Sequence, residues 1–315
     1  VLPSWHGIAD VPVLTNTSMM ALDTLPEHLI VAGGSYIGLE FAQMYRRFGS
    51  RVTVVEMGPR LIGREDDDVS AAIQAILEGE GIAIRLNATC TSATRHEDGV
   101  AVQLSCDPEP RRTTGSHLLL AVGRVPNTHD LGLQAAGVET DERGYIKVDD
   151  ELRTSADGVW ALGDVNGRGA FTHTSYNDYE IVADNLLDGA RRRVSDRIAT
   201  YALFIDPPLG RAGMTAREAL ASGRSLLEGR MQMTRVGRAR ERSETQGFMK
   251  VLVDAETRRI LGAALLGIEG DEAIHAVLDV MAAGVPYTVM QHTVHIHPTV
   301  SEYLPTVLGD LKPLG

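Results

Sequence analysis

Residues 28 to 56 read HLIVAGGSYIGLEFAQMYRRFGSRVTVVE. Leu29 to Ala32 is a short apolar run suited to a buried parallel strand, GGSYIG is a tight turn, and Ile37, Leu39, Phe41, Ala42, Met44, Tyr45 and Phe48 give the next segment a packed helical face. After Gly49 a second buried strand, Val52 to Val55, ends at Glu56. The pattern is a β-α-β unit in which Gly33 makes the turn, Gly38 lets helix and strand pack closely, and the helix N-terminus faces a pyrophosphate. The turn residues Gly33, Gly34, Ser35, Tyr36, Ile37 and Gly38 are therefore expected to carry a dinucleotide, with Glu56 accepting hydrogen bonds from both hydroxyls of the adenosine ribose. Ser35 stands where the fingerprint has its middle glycine, and strand, helix and terminal acid in register support the reading beside it. The acid favours NADH over NADPH, because a carboxylate there repels a 2′-phosphate. Arg60 and Arg64 follow soon after; they either soften that preference or sit as solvated surface charges.

Downstream, a helix-like segment near 68 to 80 and a run of short strands lead to HLLLAVGRVPNT at 117 to 128. Leu118 to Val122 reads as another strand of the same sheet, and Gly123 at its C-terminal end lies where ligands bind in such sheets, as a close-approach position or a simple turn. GVWALGDV at 158 to 165 reads as a short apolar strand stopping at Gly163 and Asp164, before a helical stretch from about Thr174 to Leu187. A carboxylate so placed suits a sugar or ribityl hydroxyl, or serves as a turn former. From about residue 198, strand-like YALFI, GFMKVLVD and RRILGAALLG alternate with helix-like DEAIHAVLDVMAAG as a separate α+β domain, after the charged linker GARRRVSDR. Near its end HIHPTVSE, 295 to 302, sets His297 five residues before Glu302. If the two side chains meet, the carboxylate orients the ring as a general base; otherwise His292, His295 and His297 make a polar surface strip.

The chain has 315 residues, a formal net charge of −12 and no long basic cluster, which points to small molecules rather than nucleic acid as partners. No apolar run reaches membrane-spanning length and the first residues do not read as a signal peptide, so the expected location is cytoplasmic, with no membrane partner. Cys90 and Cys106 match neither a C-x-x-C nor a zinc spacing, read as incidental thiols, and leave no residue assigned to a resident metal. The chain opens on Val1 in wording that reads like the middle of a domain, which suggests a lost upstream segment.

GGSYIGLE, AVGRVPN, ALGDV and HPTVSE, in that order, resemble the pyridine nucleotide-disulfide oxidoreductases, the flavoenzyme family of glutathione reductase, lipoamide dehydrogenase and mercuric reductase. The wider wording, including LTNTSMMALDTLPEHLIV, GREDDDVS and DPPLGRAGMT, is similar to the mercuric reductase-like branch that also holds the reactive-chlorine-resistance flavoproteins. The resemblance implies an α/β fold with a Rossmann-like NAD(P)-binding domain at 23–142, parts of a FAD-binding domain at 1–22 and 143–196, and a dimerisation domain at 197–315. It implies FAD and NAD(P)H as cofactors, with hydride passing from NAD(P)H to FAD and electrons then to a disulfide or metal-ion acceptor. Tyr36 matches the tyrosine that lies over the flavin and moves aside for nicotinamide, and Glu40 a glutamate beside that pocket. Asp164, after Gly163, matches the residue that binds the ribityl chain, and Phe171 and Thr172 open the segment beside the pyrimidine end of the ring. His297 and Glu302 match the base and its partner, which serve the active site of the other subunit of a homodimer. The family's redox pair, C-x-x-x-x-C, and its first glycine fingerprint lie upstream of everything in these 315 residues, so the resemblance also admits a non-catalytic NAD-binding dimerisation module, or a relative of flavin transhydrogenases and NADH oxidases. Mercuric reductase proper carries a C-terminal cysteine pair and lacks the histidine base. This chain ends LGDLKPLG and keeps His297, which leaves the acceptor open.

Overall fold

The computed structural model describes residues 1–97, 99–105 and 111–314, and every count or absence below refers to those residues; Cys106 lies outside them. Strand β1 (Val13–Leu14) and the one-turn helix α1 (Asn16–Met19), capped by the Thr15 hydroxyl, precede β2 (His28–Ala32), helix α2 (Tyr36–Phe48) and β3 (Arg51–Val55). Helix α3 (Asp67–Gly79) and β4 (Ala83–Arg85) follow, then an antiparallel group of β5 (Thr89–His96), β6 (Gly99–Ser105) and β7 (Arg112–Gly115), then β8 (His117–Leu120). The parallel sheet runs β1-β8-β2-β3-β4, so β2 sits in its centre. Leu29, Ile30, Val31 and Ala32 are all fully buried, as an apolar run covered on both sheet faces must be. Helix α2 buries Leu39, Ala42 and Tyr45 and ends on Gly49 in the left-handed region, whereas Phe48, expected on the packed face, lies exposed at its last turn.

After β8 the chain leaves this body. Val1–Val122 and Ala199–Gly315 form one compact unit and Gly123–Ile198 another. In the second unit the long element is α4 (Thr172–Leu187). The apolar stretch 158–163, expected as a strand, makes only an isolated bridge between Arg153 and Trp160, because its ladder consists of Thr154 to Val159 and Ala161 to Leu152 around a tight turn, too short to extend.

The chain returns to the first unit through β9 (Thr200–Leu203), β10 (Leu209–Gly213), α5 (Ala216–Ala221), β11 (Leu226–Gln232), α6 (Gly237–Glu241), β12 (Phe248–Asp254), β13 (Ile260–Leu266), α7 (Gly270–Ala282), α8 (Thr288–His292), α9 (Leu304–Gly309) and β14 (Lys312–Leu314). Its antiparallel sheet is ordered β14-β11-β12-β13-β10-β9. One apolar cluster holds Leu29, Val31, Leu39 and Ile73 together with Leu203, Ile205, Leu209, Phe248 and Leu266, so the parallel sheet layer and the C-terminal sheet share a core. No helix is long and apolar enough to cross a membrane.

Candidate functional site

Gly33 has φ +113°, and a Cβ there would meet the Ala121 carbonyl at 2.3 Å; a Cβ on Gly38 would meet the Gly33 carbonyl at 2.0 Å. Both positions demand glycine, one for its backbone conformation and one for the approach of α2 to the turn. Ser35 takes the N-cap position of α2 in extended conformation without a side-chain cap bond, so the amides of the first helical turn have no capping side chain and the positive end of the helix dipole faces outward. Glu56 leaves β3 beside this turn: its Oε2 accepts from Gly34 N at 2.7 Å and its Oε1 from Gly58 N at 2.7 Å. Two backbone amides thus fix the carboxylate, whose remaining lone pairs are able to accept ribose hydroxyls. The turn, the uncapped helix end and the anchored acid fit the pyrophosphate and ribose of a dinucleotide. Arg60 pairs with Asp67 at 2.9 Å and donates to Gly63 O at 3.2 Å, while the Arg64 guanidinium lies over the Tyr36 ring.

Tyr36 is the first residue of α2 and is half-buried. Its ring meets that of Tyr201 edge to face, centroids 5.4 Å apart at 85°, and the Arg64 guanidinium lies 4.8 Å from the Tyr36 centroid and 5.8 Å from that of Tyr201. Burial pushes the Tyr36 hydroxyl up, against the nearby Arg64 charge. One turn on, Glu40 Oε1 accepts from Phe204 N at 3.0 Å; burial raises its carboxyl, partly opposed by that bond. Gln43 continues the same face, bonding Asp206 through both ends of its amide at 2.7 Å, and Arg47 pairs with the Asp206 carboxylate.

A partly buried ionic group that the sequence reading did not single out joins β12 to the start of α3. Lys250, within β12, donates at 2.8 Å to both Asp66 and Asp68. Asp66 also accepts from Ala216 N at 3.0 Å, holding the start of α5, and Arg230 pairs with Asp68. Burial pushes both carboxyls up, but the Lys250 ammonium and the bonds around it more than offset this, leaving Asp66 and Asp68 below the usual carboxylate range. Glu65 and Arg211 are 0% and 1% exposed and face each other at 3.7 Å, with both Glu65 carboxylate oxygens and both Arg211 Nη atoms lacking a hydrogen-bond partner.

In the second unit Gly163 and Asp164 sit in a 3-10 turn, Gly163–Asn166, with Gly163 at φ +76°. The turn is pinned to α4 by Asp178, which accepts from Gly163 N at 2.9 Å and Asn166 Nδ2 at 2.8 Å and pairs with Arg197. Asp164 is held by Arg124 and keeps a partly exposed carboxylate. Phe171 caps the start of α4, Thr172 is its first residue, and the Phe171 and His173 rings stack at 5.3 Å and 12°. An exposed acid beside a helix N-terminus suits a polyol chain and a polarised carbonyl, the chemistry of a flavin's ribityl and pyrimidine ends. Gly123 begins this unit with φ +135°.

The structure brings His297 and Glu302 together. Nδ1 of His297 lies 2.9 Å from Glu302 Oε2 and 3.1 Å from Oε1, which also accepts from Thr299 N at 3.3 Å. The imidazole is 77% exposed and the carboxylate 15%. With Nδ1–H donating to the acid, Nε2 is the outward basic nitrogen. Arg238 Nη2 donates to Pro298 O at 2.6 Å, fixing the loop from α6.

The pyridine nucleotide-disulphide oxidoreductase family model matches residues 4–178, and the dimerisation-domain model of the same family matches 199–308. The chain is similar to the probable pyridine nucleotide-disulfide oxidoreductase RclA of Escherichia coli, 40% identical over 314 residues, 99% of this chain and 70% of that one. It is 34% identical to a mercuric reductase of Streptomyces lividans over 302 residues, 96% of this chain and 64% of the relative. Among solved structures, the Cu(II) complex of the HOCl-induced flavoprotein disulfide reductase RclA from Escherichia coli superposes with a TM-score of 0.93 at 40% identity, over 98% of this chain and 71% of that one. The chain thus spans between about three fifths and three quarters of the length of these relatives.

Proposed function

Because the chain belongs to the pyridine nucleotide-disulphide oxidoreductase family, whose members use FAD and NAD(P)H, we propose that it works in an NAD(P)H-dependent flavoprotein oxidoreductase and carries its dinucleotide site. The observation that supports this most is the glycine turn with its uncapped helix and the Glu56 carboxylate anchored beside it. When bound, NAD(P)H would supply a hydride and FAD a redox centre for electrons destined for a disulfide or metal-ion acceptor. The amides of α2 hold the pyrophosphate and Glu56 selects the unphosphorylated ribose, which makes NADH the preferred donor. Tyr36 covers the nicotinamide end, and Glu40, held by Phe204 N, borders it. Asp164 takes the ribityl hydroxyls, with Gly163 shaping the turn and Phe171 and Thr172 presenting the start of α4.

His297 Nε2 accepts a proton from, or returns one to, a thiol, and Glu302 stabilises the charged ring between those events. The 315 residues contain no C-x-x-x-x-C pair, so the thiols of such a step are not theirs. The C-terminal sheet forms a homodimer in which His297 serves the partner's site. The first test is the visible spectrum of the purified chain before and after anaerobic NADH, with a parallel NADH titration. A flavin band that bleaches supports the whole reading. A colourless chain that binds NADH narrows it to a dinucleotide-binding dimerisation module, and no NADH binding overturns it.

A further inference from the structure

Arg64 reads in the sequence as a surface charge or a modifier of cofactor preference, yet its guanidinium stacks on two tyrosines far apart in the chain. Tyr36 opens α2 at the glycine turn, and Tyr201 lies in β9, directly opposite Arg211 in the ladder with β10. The distances of 4.8 Å and 5.8 Å from the guanidinium carbon to the two centroids, and the edge-to-face tyrosine contact, make one three-membered stack. Arg64 itself is exposed, but its neighbour Glu65 is fully buried against Arg211, so the backbone carrying Arg64 is anchored from below. A mobile surface arginine is thereby held over one ring at the mouth of the turn.

We propose that Arg64 is a positioning residue which, with Tyr201, latches the Tyr36 ring in its closed place, so that the nicotinamide half of a dinucleotide enters only after this stack opens. The inference rests on the dinucleotide reading of the turn. It separates the two halves of the ligand: the adenosine and pyrophosphate half touches Glu56 and the helix end and is indifferent to the latch, whereas the nicotinamide half competes with it. The stack also disfavours Arg64 as a 2′-phosphate ligand, since the same guanidinium is engaged on the rings.

The test compares NADH with ADP-ribose, which lacks nicotinamide, on the wild-type chain and on Arg64→Ala and Arg64→Lys, with 3-fluorotyrosine at position 36 as a fluorine NMR reporter. Arg64→Ala should bind NADH roughly two- to five-fold more tightly, the equivalent of one exposed cation–π contact, with ADP-ribose affinity unchanged. Its Tyr36 fluorine resonance should already lie part-way toward the NADH-bound position, and Arg64→Lys should fall between Ala and wild type. An unchanged ratio of NADH to ADP-ribose affinity overturns the latch, as does weaker NADH binding with ADP-ribose unchanged, which makes Arg64 a direct ligand instead. Failure of the wild-type chain to bind ADP-ribose would count against the dinucleotide reading, and the fluorine signal then decides the latch alone: a resonance that does not move in Arg64→Ala overturns it.

Discussion

Glu56 shows how one side chain is fixed before any ligand arrives. The amides of Gly34 and Gly58 each donate to one of its oxygens, so the carboxylate is oriented by the turn it serves. Glu56→Ala should weaken NADH by roughly ten- to a hundredfold, the cost of charge-assisted bonds to the ribose, while NADPH changes little. Fluorescence titration of both nucleotides checks this, and an unchanged NADH to NADPH ratio contradicts the ribose assignment. His297 is oriented through Glu302 in the same way. In a flavin-loaded enzyme with a disulfide acceptor, His297→Ala should slow acceptor turnover about 10²–10⁴-fold and leave flavin reduction by NADH at its normal rate, as stopped-flow absorbance would show. Both residues were legible in the sequence because their partners are near neighbours or follow a known spacing. Arg64 and Tyr201 were not, since 137 positions of chain separate two residues that touch only through the fold.

Helix α2 works through two of its faces. Leu39, Ala42 and Tyr45 pack into the core, and this apolar spacing is what the sequence displays. Tyr36, Glu40, Gln43 and Arg47 recur at intervals of four, three and four and meet Tyr201, Phe204 and Asp206 in order along the facing segment. A polar stripe of that kind looks like a solvated helix surface until its partner strand is known. The close approach of the helix is set at Gly38. Gly38→Ala would drive a methyl group against the Gly33 carbonyl and should lower stability by about 1–3 kcal/mol, measured by urea unfolding, with loss of NADH affinity as the turn shifts. The stretch 158–163 shows the converse error: apolar residues in a row suggested a strand, but an isolated bridge is all that forms, since strand identity needs a partner and periodicity alone does not supply one.

Across the first unit, Lys250 joins the loop before α3 to the C-terminal sheet over a sequence distance of more than 180 residues. A lysine inside the apolar run GFMKVLVD was the available signal, though only the fold reveals its two acids. Lys250→Met leaves the buried Asp66 without its cation, while the half-buried Asp68 keeps Arg230, and should cost about 3–5 kcal/mol, which Asp66→Asn with Asp68→Asn should partly restore. The pH dependence follows from the lowered carboxyls: their unfolded pKa is about 3.9, so their contribution is complete above that value and is lost as pH falls through the lower folded pKa. The stability gap between wild type and Asp66→Asn/Asp68→Asn, measured by chemical denaturation, should therefore be constant near neutrality and close only below about pH 4. The shared core has a consequence for how the chain is made. Leu29, Val31 and Leu39 leave the ribosome long before Leu203, Phe248 and Leu266, which complete their packing, with the whole of Gly123–Ile198 synthesised in between. A nascent chain stopped at residue 198 carries an unfinished apolar face, so the segment that holds Leu29, Val31 and Leu39 should need chaperone protection during translation until residues 199–266 arrive to cover it.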